Sequence, residues 1–427
     1  MERNADVVVI GGGLGGLASA VLLARSGRSV VLLEKSPALG GRAATHEERG
    51  ARLNLGPHAL YCGGAGRALL RELGVDPSGG RPAASGMLAL DRGRLHALPV
   101  GFASLLSTGL LRLGEKLEAA RVLQSLQQGP DAGPGESVAD WIDRIARRAV
   151  TRRLLHALVR VTTYASAPDL VAAREAAAQM QLALTSGVMY VDGGWQTIVD
   201  QLRARAVESG VAIHTGSRVE AVAGGRVRIG GASIEAGAVV IATSPAAARA
   251  LVPSSAALAE AERAAVPVRA ACLDLALSSL PRPRALFCLG IDEPLYYSVH
   301  SGSAALAPEG VHVVHVARYL APGEKADDSS LEALLDRVQP GWRERVVARR
   351  FLPQLVVAND ILPVGRRRPG PELAGAGVYL VGDWVGEGAM LADATLASAR
   401  AAAGSIATAR PRPAPAPRAD ASSWSGG

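Results

Sequence analysis

Several residue types that often carry a protein's chemistry are scarce in this chain. Its three cysteines, Cys62, Cys272 and Cys288, have neither metal-site nor redox-motif spacing, so we expect reduced core thiols of a cytoplasmic protein. Aromatic residues make up 4% of the 427 residues, too few to favour single-stranded nucleic acid stacked on aromatic platforms. The net charge of +7 comes from scattered arginines rather than from a basic block. No nucleic-acid partner is therefore predicted.

Lysine and long apolar runs are also scarce. Lys35, Lys116 and Lys325 are the only lysines, and the excess of Arg, Ala and Gly is typical of a GC-rich bacterial genome. No segment approaches the roughly 18–20 apolar residues that a membrane-spanning helix needs. The apolar start breaks into glycines after Ile10, which disfavours a signal peptide. The length predicts two domains.

Glycine, in contrast, is abundant, and its first cluster follows a strand. Residues 7–10 are a branched apolar run typical of a buried parallel strand. A G-x-G-x-x-G motif follows at Gly11, Gly13 and Gly16, and residues 17–25 read as a helix. In such a motif the glycines allow a tight turn, backbone approach to a pyrophosphate and close packing of the helix on the strand. The positive end of the helix then faces the phosphates.

The next strand ends in an acid. Residues 29–33 read as a buried strand, with four apolar residues after Ser29, and lead into Glu34, whose carboxylate can accept a hydrogen bond from a ribose hydroxyl. An acid at this place favours FAD or NAD over NADP. Lys35 follows, and a second glycine turn ends in Gly41 and Arg42, within reach of the phosphates of an extended dinucleotide.

The other end of the chain carries a matching segment. Residues 378–381 read as a buried strand closed by Gly382 and Asp383, and a helix of small residues follows over 389–403. Together with the first glycine motif, the Leu39–Arg42 turn and the Gly56-Pro57-His58 segment, this resembles the flavoprotein superfamily of phytoene desaturases, protoporphyrinogen oxidases and flavin amine oxidases.

The resemblance implies an α/β fold with a Rossmann-type FAD-binding domain and an inserted α+β substrate domain. The FAD domain would comprise residues 1–80, 184–255 and 351–407, and the substrate domain a helical part, 81–183, and a sheet part, 256–350. Residues 408–427, rich in proline and alanine, read as a disordered tail.

The resemblance also assigns the cofactor and its site. It implies FAD, bound non-covalently because no cysteine lies in residues 382–390. Asp383 would bind the ribityl or pyrophosphate part, Val219 the adenine through its backbone, and the helix start near Met390 would face the flavin ring. The implied FAD-binding residues are Gly11, Gly13, Leu14, Gly15, Gly16, Glu34, Lys35, Gly41, Arg42, Gly56, Pro57, His58, Val219, Gly382, Asp383 and Met390.

The sequence shows no nucleophile, triad or metal cluster, so the chemistry is expected to come from the flavin. His312 and His315 would point to opposite faces of a strand and are interpreted as core or solvated residues. Tyr296, Tyr297 and His300 are candidates for substrate contact, with ordinary sheet residues as the alternative.

The resemblance implies hydride removal from an apolar, terpenoid or carotenoid-like substrate. Amine oxidases of the superfamily often place a lysine near the flavin, and none of the three lysines suits that place. The alternatives are a protoporphyrinogen or amine oxidase and, in another class, a non-catalytic carrier of prenyl lipids on the same fold.

Residues 98–111 form an uncharged segment, LPVGFASLLSTGLL. It predicts either a buried helix of the substrate domain or an entrance helix that dips into a membrane face and admits lipid substrates. The second alternative makes the protein peripheral to the inner face of the cell membrane.

Overall fold

The structure is a computed structural model that describes residues 2–129, 131–373, 375 and 377–408. The strands in chain order are β1 Asn4–Ile10, β2 Val30–Leu33, β3 Thr45–Glu48, β4 Ala51–Asn54, β5 Leu60–Tyr61, β6 Gly79–Gly80, β7 Met87–Asp91, β8 Arg94–Ala97, β9 Val188–Val191, β10 Ala212–His214, β11 Val219–Ala223, β12 Arg226–Ile229, β13 Ala232–Ile241, β14 Val268–Leu277, β15 Phe287–Gly290, β16 Leu295–Val299, β17 His312–Leu320, β18 Val346–Ala358, β19 Glu372–Leu373 and β20 Val378–Leu380. The α-helices are α1 Leu14–Arg25, α2 Ala65–Glu72, α3 Phe102–Ser107, α4 Leu113–Gln128, α5 Val138–Ile145, α6 Ala149–Thr163, α7 Ala173–Ser186, α8 Gln196–Glu208, α9 Pro245–Leu251, α10 Ala256–Ala264, α11 Ser329–Val338 and α12 Leu391–Thr408.

A sheet built around parallel strands forms the first domain. Strand β1 lies between β2 and β13, β10 extends the sheet beyond β2, and β20 pairs in parallel with β13. Both faces of its central strands are buried, which is why the runs of valine, isoleucine and leucine are continuous rather than alternating. Helices α1, α8 and α12 cover one face, so the α/β prediction with a Rossmann-type domain is confirmed.

A second sheet forms the inserted domain. Its strand order in the described chain is β18-β14-β17-β16-β15-β7-β8, antiparallel except where β15 meets β7. Helix α11 packs on one face, and side chains of α4 and α6 pack on the other. The helical bundle of α4 to α7 has its own core around Trp141 and Met180.

Two element predictions are wrong. Residues 98–111 do not form the predicted buried helix: they contain only the short helix α3, and Val100 and Leu106 are exposed. The alternative for this segment, an entrance helix at a membrane face, stays a prediction. The predicted helical part 81–183 begins with the hairpin of β7 and β8, which adds to the edge of the second sheet.

Three further sequence predictions concern the histidines of β17, membrane-spanning segments and the C-terminal tail. His315 is buried in β17 and His312, the first residue of that strand, is half-exposed, which agrees with their interpretation as core or solvated residues. No helix of the described residues is long and apolar enough to cross a membrane. The predicted disordered tail lies outside the described residues, except for Thr408, which ends α12.

Candidate FAD site

The first glycine turn is built by close backbone approaches. Gly11 has a positive φ of 108°, and a Cβ there would lie 2.5 Å from the carbonyl oxygen of Ala242. A Cβ on Gly16 would lie 1.8 Å from the carbonyl oxygen of Gly11. These positions therefore need glycine if β1, α1 and β13 are to meet. Gly13 has only a distant neighbour at its Cβ position, so its backbone opens toward a cavity.

Glu34 is fixed beside that turn. One carboxylate oxygen accepts a hydrogen bond from the backbone N–H of Gly12 at 2.7 Å, and the other accepts from Ser36 at 2.8 Å. The Glu34 side chain lines the cavity together with Lys35 and Val219. The three residues occupy the same end of the cavity because β10 pairs with β2, and Gly216 and Ser217 in the turn before β11 donate to the carbonyl oxygens of Ser36 and Glu34.

A cavity of about 730 Å³ brings the predicted residues together. It is lined by Gly11, Gly13, Leu14, Gly15, Glu34, Lys35, Gly41, Arg42, Pro57, His58, Val219, Gly382 and Asp383. The predicted residues that do not line it are Gly16, which packs on Gly11, Gly56, which packs on Cys272, and Met390, which is buried. Leu391 and Ala392 line the cavity in place of Met390.

Arg42 and Asp383 join the two chain ends inside the cavity. Arg42 Nη1 donates to Asp383 Oδ2 at 2.6 Å and to the carbonyl oxygen of Val357 at 2.7 Å. Asn359 donates to the same carboxylate from its side chain at 2.8 Å and from its backbone at 3.1 Å. Burial opposes ionisation of Asp383, but the Arg42 charge and these hydrogen bonds outweigh it and keep its pKa below the usual value. Within the described chain, Arg42 bonds only through Nη1, which leaves Nε and Nη2 for a phosphate.

The opposite end of the cavity is apolar and aromatic. We call this the apolar end, and it is lined by Tyr61, Tyr164, Cys272, Leu355 and Val357. Tyr164 closes α6 in a left-handed conformation with φ of 60°, rare for a bulky residue, and its hydroxyl donates to the carbonyl oxygen of Pro57 at 3.0 Å. The Tyr61 hydroxyl donates to the carbonyl oxygen of Thr162 at 2.7 Å. Both hydroxyls are therefore engaged, and the rings present apolar faces.

His58 and Trp195 lie against one another in the cavity wall, with ring centroids 4.9 Å apart. His58 Nδ1 lies 3.1 Å from the carbonyl oxygen of Gly56, and Nε2 lies 3.1 Å from that of Arg42. Burial lowers the pKa of His58 to about 4, so the ring is neutral near pH 7 and donates to only one of the two carbonyls.

The start of α12 forms another part of the wall. Leu391 begins the helix with a positive φ of 55°, an unusual conformation for leucine that suggests strain. Asp393, in the first turn, lines the cavity and accepts from the backbone N–H of Gly66 at 2.7 Å. Burial raises the pKa of Asp393.

None of the predicted substrate contacts lines the cavity. Tyr297 as a substrate contact is wrong, because its side chain lies on the far face of the sheet, where its hydroxyl donates to the carbonyl oxygen of Ala285 at 3.1 Å. Tyr296 and His300 are buried one layer behind the cavity wall, and the ring of His300 stacks on Tyr190 at a centroid distance of 3.7 Å.

Among the lining residues that sequence reasoning missed are Tyr61, Tyr164, Asn359 and Asp393. Asp393 had a usable signal, since it stands in the first turn of the predicted closing helix. Tyr61, Tyr164 and Asn359 had none, because each reaches the site through tertiary packing of separate segments.

A buried ionic cluster lies under the Gly56 turn. Asp274 on β14 accepts from Arg350 at 2.7 Å, and its other oxygen lies 2.6 Å from His315 Nδ1. Arg350 also donates to the carbonyl oxygen of Asn54, and the backbone N–H of Gly56 donates to Asp274 at 3.3 Å. The cluster ties the segment that ends in His58 to the second sheet, which fixes the wall between the two domains.

These residues fit FAD. The Glu34 end provides a ribose acceptor, and the glycine turn and the free donors of Arg42 provide a phosphate site. The indole Nε1 of Trp195 is buried at the cavity without a hydrogen-bond partner among the described residues, as expected where a bound polar group would accept from it. The fold and site thus define a flavoprotein of the dinucleotide-binding class.

The comparisons with known proteins agree with this class. The family model described as flavin containing amine oxidoreductase matches residues 14–272, more than half of the chain. The chain belongs to that family, which confirms the resemblance read from its motifs and, at the level of the family, the prediction of an FAD-dependent oxidoreductase.

The similar proteins, both curated relatives and solved structures, are named as oxidoreductases or as members of oxidoreductase classes. A carotenoid 3,4-desaturase from Haloarcula japonica is 54% identical over 52 residues, which cover 12% of this chain and 10% of the relative. The fold matches an oxidoreductase from Methanosarcina mazei with a TM-score of 0.72 and 22% identity, covering 92% of this chain and 98% of that one. It matches cyclohexylamine oxidase from Brevibacterium oxydans with a TM-score of 0.69 and 16% identity, covering 95% and 99%. At such identities these two likenesses concern the fold alone.

Proposed function

We propose that the protein is an FAD-dependent oxidoreductase that removes hydride from an apolar, terpenoid or carotenoid-like substrate, with FAD held non-covalently. The observation that carries the proposal is the apolar end of the cavity, where aromatic and aliphatic side chains surround the space next to the start of α12. The named desaturase relative supports the same substrate class, although the match covers only the short segment given above.

The chain's own residues would bind the cofactor, orient the substrate and exclude water from the site. When bound, FAD supplies the hydride acceptor. Glu34, the glycine turn and Arg42 would hold its nucleotide part. The free N–H groups in the first turn of α12 would favour negative charge at the ring. Tyr61, Tyr164 and Leu355 would pack against an apolar substrate and keep water from the reacting carbon.

An amine substrate is disfavoured because, among the described residues, the apolar end has neither a lysine, which amine oxidases of the superfamily often place near the flavin, nor a suitable acid for an ammonium group. Lys35 lies at the Glu34 end, Lys116 donates to the carbonyl oxygen of Leu106 on α3, and Lys325 is exposed. Asp393 is a poor partner for an ammonium group, because burial raises its pKa and Gly66 already donates to its carboxyl.

Anaerobic reduction of the bound flavin tests the proposal. Polyene or terpenoid lipids in detergent or liposomes should bleach the flavin absorption, whereas putrescine, cyclohexylamine and amino acids should leave it unchanged. Bleaching by amines without any response to lipids would contradict the proposal and indicate an amine oxidase. A protein that binds such lipids without redox change would be a carrier.

We also propose that the protein docks on a membrane surface through the first turns of α4. Leu113 is 76% exposed, Leu117 is 62% exposed, and Leu106 on the neighbouring α3 is 58% exposed. Arg112, Lys116 and Arg121 stand beside this apolar row. Exposed leucines flanked by basic side chains suit the interface of an anionic bilayer, from which an apolar substrate would be taken.

A further inference from the structure

A second pocket lies in the substrate domain, outside the FAD cavity. It measures about 250 Å³ and is enclosed by α6 on one side and by the loop between β15 and β16 on the other. Val138, Val159, Val171 and Ile291 give it an apolar wall. A pocket of this size is smaller than the usual range for drug-sized ligands and suits a short molecule.

Three basic side chains of α6 face the same pocket. Arg153, His156 and Arg160 follow one another at helical spacings of three and four residues, so they share one face of the helix. Ser166 adds a hydroxyl after the helix ends, and Asp292 is an acidic lining residue opposite. The pocket therefore has a basic end and an apolar wall.

Arg160 lacks a counter-ion in this arrangement. Its Nη2 donates to the carbonyl oxygens of Gly290 at 3.1 Å and Ile291 at 3.3 Å, and it forms no ion pair with the described residues. Its Nε is buried and has no hydrogen-bond partner there. Burial lowers the pKa of Arg160, although the charge of Asp292 opposes this. Arg160 is half-buried, and partial removal of a guanidinium from water without a paired anion has a desolvation cost.

Arg153 is only loosely satisfied. Its Nη2 lies 3.3 Å from a carboxylate oxygen of Asp91, and its Nε is buried without a partner. Both guanidinium groups thus keep donors that have no partner among the described residues, although both side chains are only half-buried and Arg153 is paired with Asp91. An incoming carboxylate would accept from these donors.

We propose that this pocket binds a short amphipathic carboxylate, with its carboxylate at Arg160 and Arg153 and its chain along the apolar wall. A monoanion suits the site better than phosphate because Asp292 and the apolar wall disfavour a second negative charge. The inference is independent of the proposed oxidation. The pocket lies directly behind the FAD cavity, since Ala165 and Ser166 line the pocket and the preceding residue, Tyr164, lines the cavity.

Calorimetric titration of the purified full chain with hexanoate tests the site. Hexanoate should bind, 1-hexanol should not, and inorganic phosphate should bind more weakly than hexanoate. Arg160→Gln should weaken hexanoate binding about tenfold or more, because it removes charge-assisted hydrogen bonds. Arg152→Gln is the matched control, since Arg152 stands on the same helix but pairs with Asp143 outside the pocket.

Arg160 also donates to the carbonyl oxygens of the loop after β15, so Arg160→Gln could disturb folding. Two further variants test the site without that risk. Arg153→Gln and His156→Gln leave that loop untouched and should each weaken hexanoate binding. Equal binding of hexanol, tighter binding of phosphate, absence of binding at millimolar hexanoate, or unchanged affinity in all three variants would each overturn the proposal.

Discussion

Asp383 connects parts of the chain that are far apart in sequence. Its carboxylate receives hydrogen bonds from Arg42, in the second glycine turn, and from Asn359, after β18. Glu34 has a similar place at the other end of the cavity, where it accepts from the backbone on both sides. Each acid therefore fixes the position of neighbouring chain segments, in addition to its expected contact with the cofactor.

Replacement of either acid should weaken FAD binding. Glu34→Ala and Asp383→Ala each remove hydrogen bonds to a charged acceptor, a loss of about 1.5–3 kcal/mol, or roughly tenfold to a hundredfold in affinity. Because the two sites are far apart, the losses should add in the double variant. Flavin fluorescence during titration of the apoprotein measures the affinity. Glu235→Ala, which removes only a surface pair with Arg226, is the control. Unchanged affinity in both folded variants would refute the site.

Acid should destabilise the protein through its buried aspartates. For Asp274, burial opposes ionisation, but the charges of His315 and Arg350 outweigh it and lower its pKa, as Arg42 does for Asp383. A carboxyl with a lowered folded-state pKa stabilises the fold above its unfolded pKa, about 3.9. This contribution is lost as the pH falls toward the folded-state value.

The urea midpoint should therefore fall steeply below about pH 4. Asp274→Asn should lower the midpoint at pH 7 and flatten its dependence on acid, because the titrating group is gone. An equally steep acid dependence in Asp274→Asn would show that other groups cause it.

Among the elements, sequence patterns predicted those whose burial is continuous or strictly periodic. Strands β1, β2, β13 and β20 were readable because both faces are buried. The hairpin of β7 and β8 was not, because its pairing partner β15 comes much later in the chain. The side of the sheet on which Tyr297 lies was also unreadable, since β16 is buried on both faces and its alternation carries no signal.

The exposed face of α4 should control membrane binding. Leu113→Glu and Leu117→Glu should each reduce co-sedimentation with anionic liposomes, because each places a negative charge in the apolar row. Val207→Glu on α8 is the matched control, since Val207 is also an exposed apolar side chain at 57%. Equal loss in the control, or no loss in the α4 variants, would contradict the membrane proposal.

At the scale of the whole molecule, the candidate FAD cavity is lined by segments that are far apart in the chain. Motif reasoning located the lining residues of the two glycine turns, Glu34 and Asp383, because backbone cradles for phosphates have a fixed sequence order. It could not locate the apolar end, where Tyr61, Tyr164 and Leu355 come from different elements with no common motif.

The purified protein should be yellow and should release FAD when denatured. Glu34 lies where its carboxylate would accept a hydrogen bond from the adenosine ribose of FAD, and FMN has no adenosine. Acid precipitation should leave the flavin in the supernatant, since residues 382–390 contain no cysteine for a covalent link. Chromatography of the supernatant identifies the cofactor. A colourless protein that takes up no added FAD would contradict the family assignment for this chain.

The pairing of β20 with β13 also sets a condition on biosynthesis. The glycine turn after β1 leaves the ribosome early, but β20 and α12 are translated more than 360 residues later. At about 5–20 residues per second, this delay is roughly 20–70 s. During that interval the apolar surfaces that α12 will cover are not yet buried by it, and we expect chaperones to bind the nascent chain there. Because Asp383 and the start of α12 line the cavity, we expect FAD to bind only after they are translated, and cells short of FAD should accumulate a proteolysis-prone apoprotein.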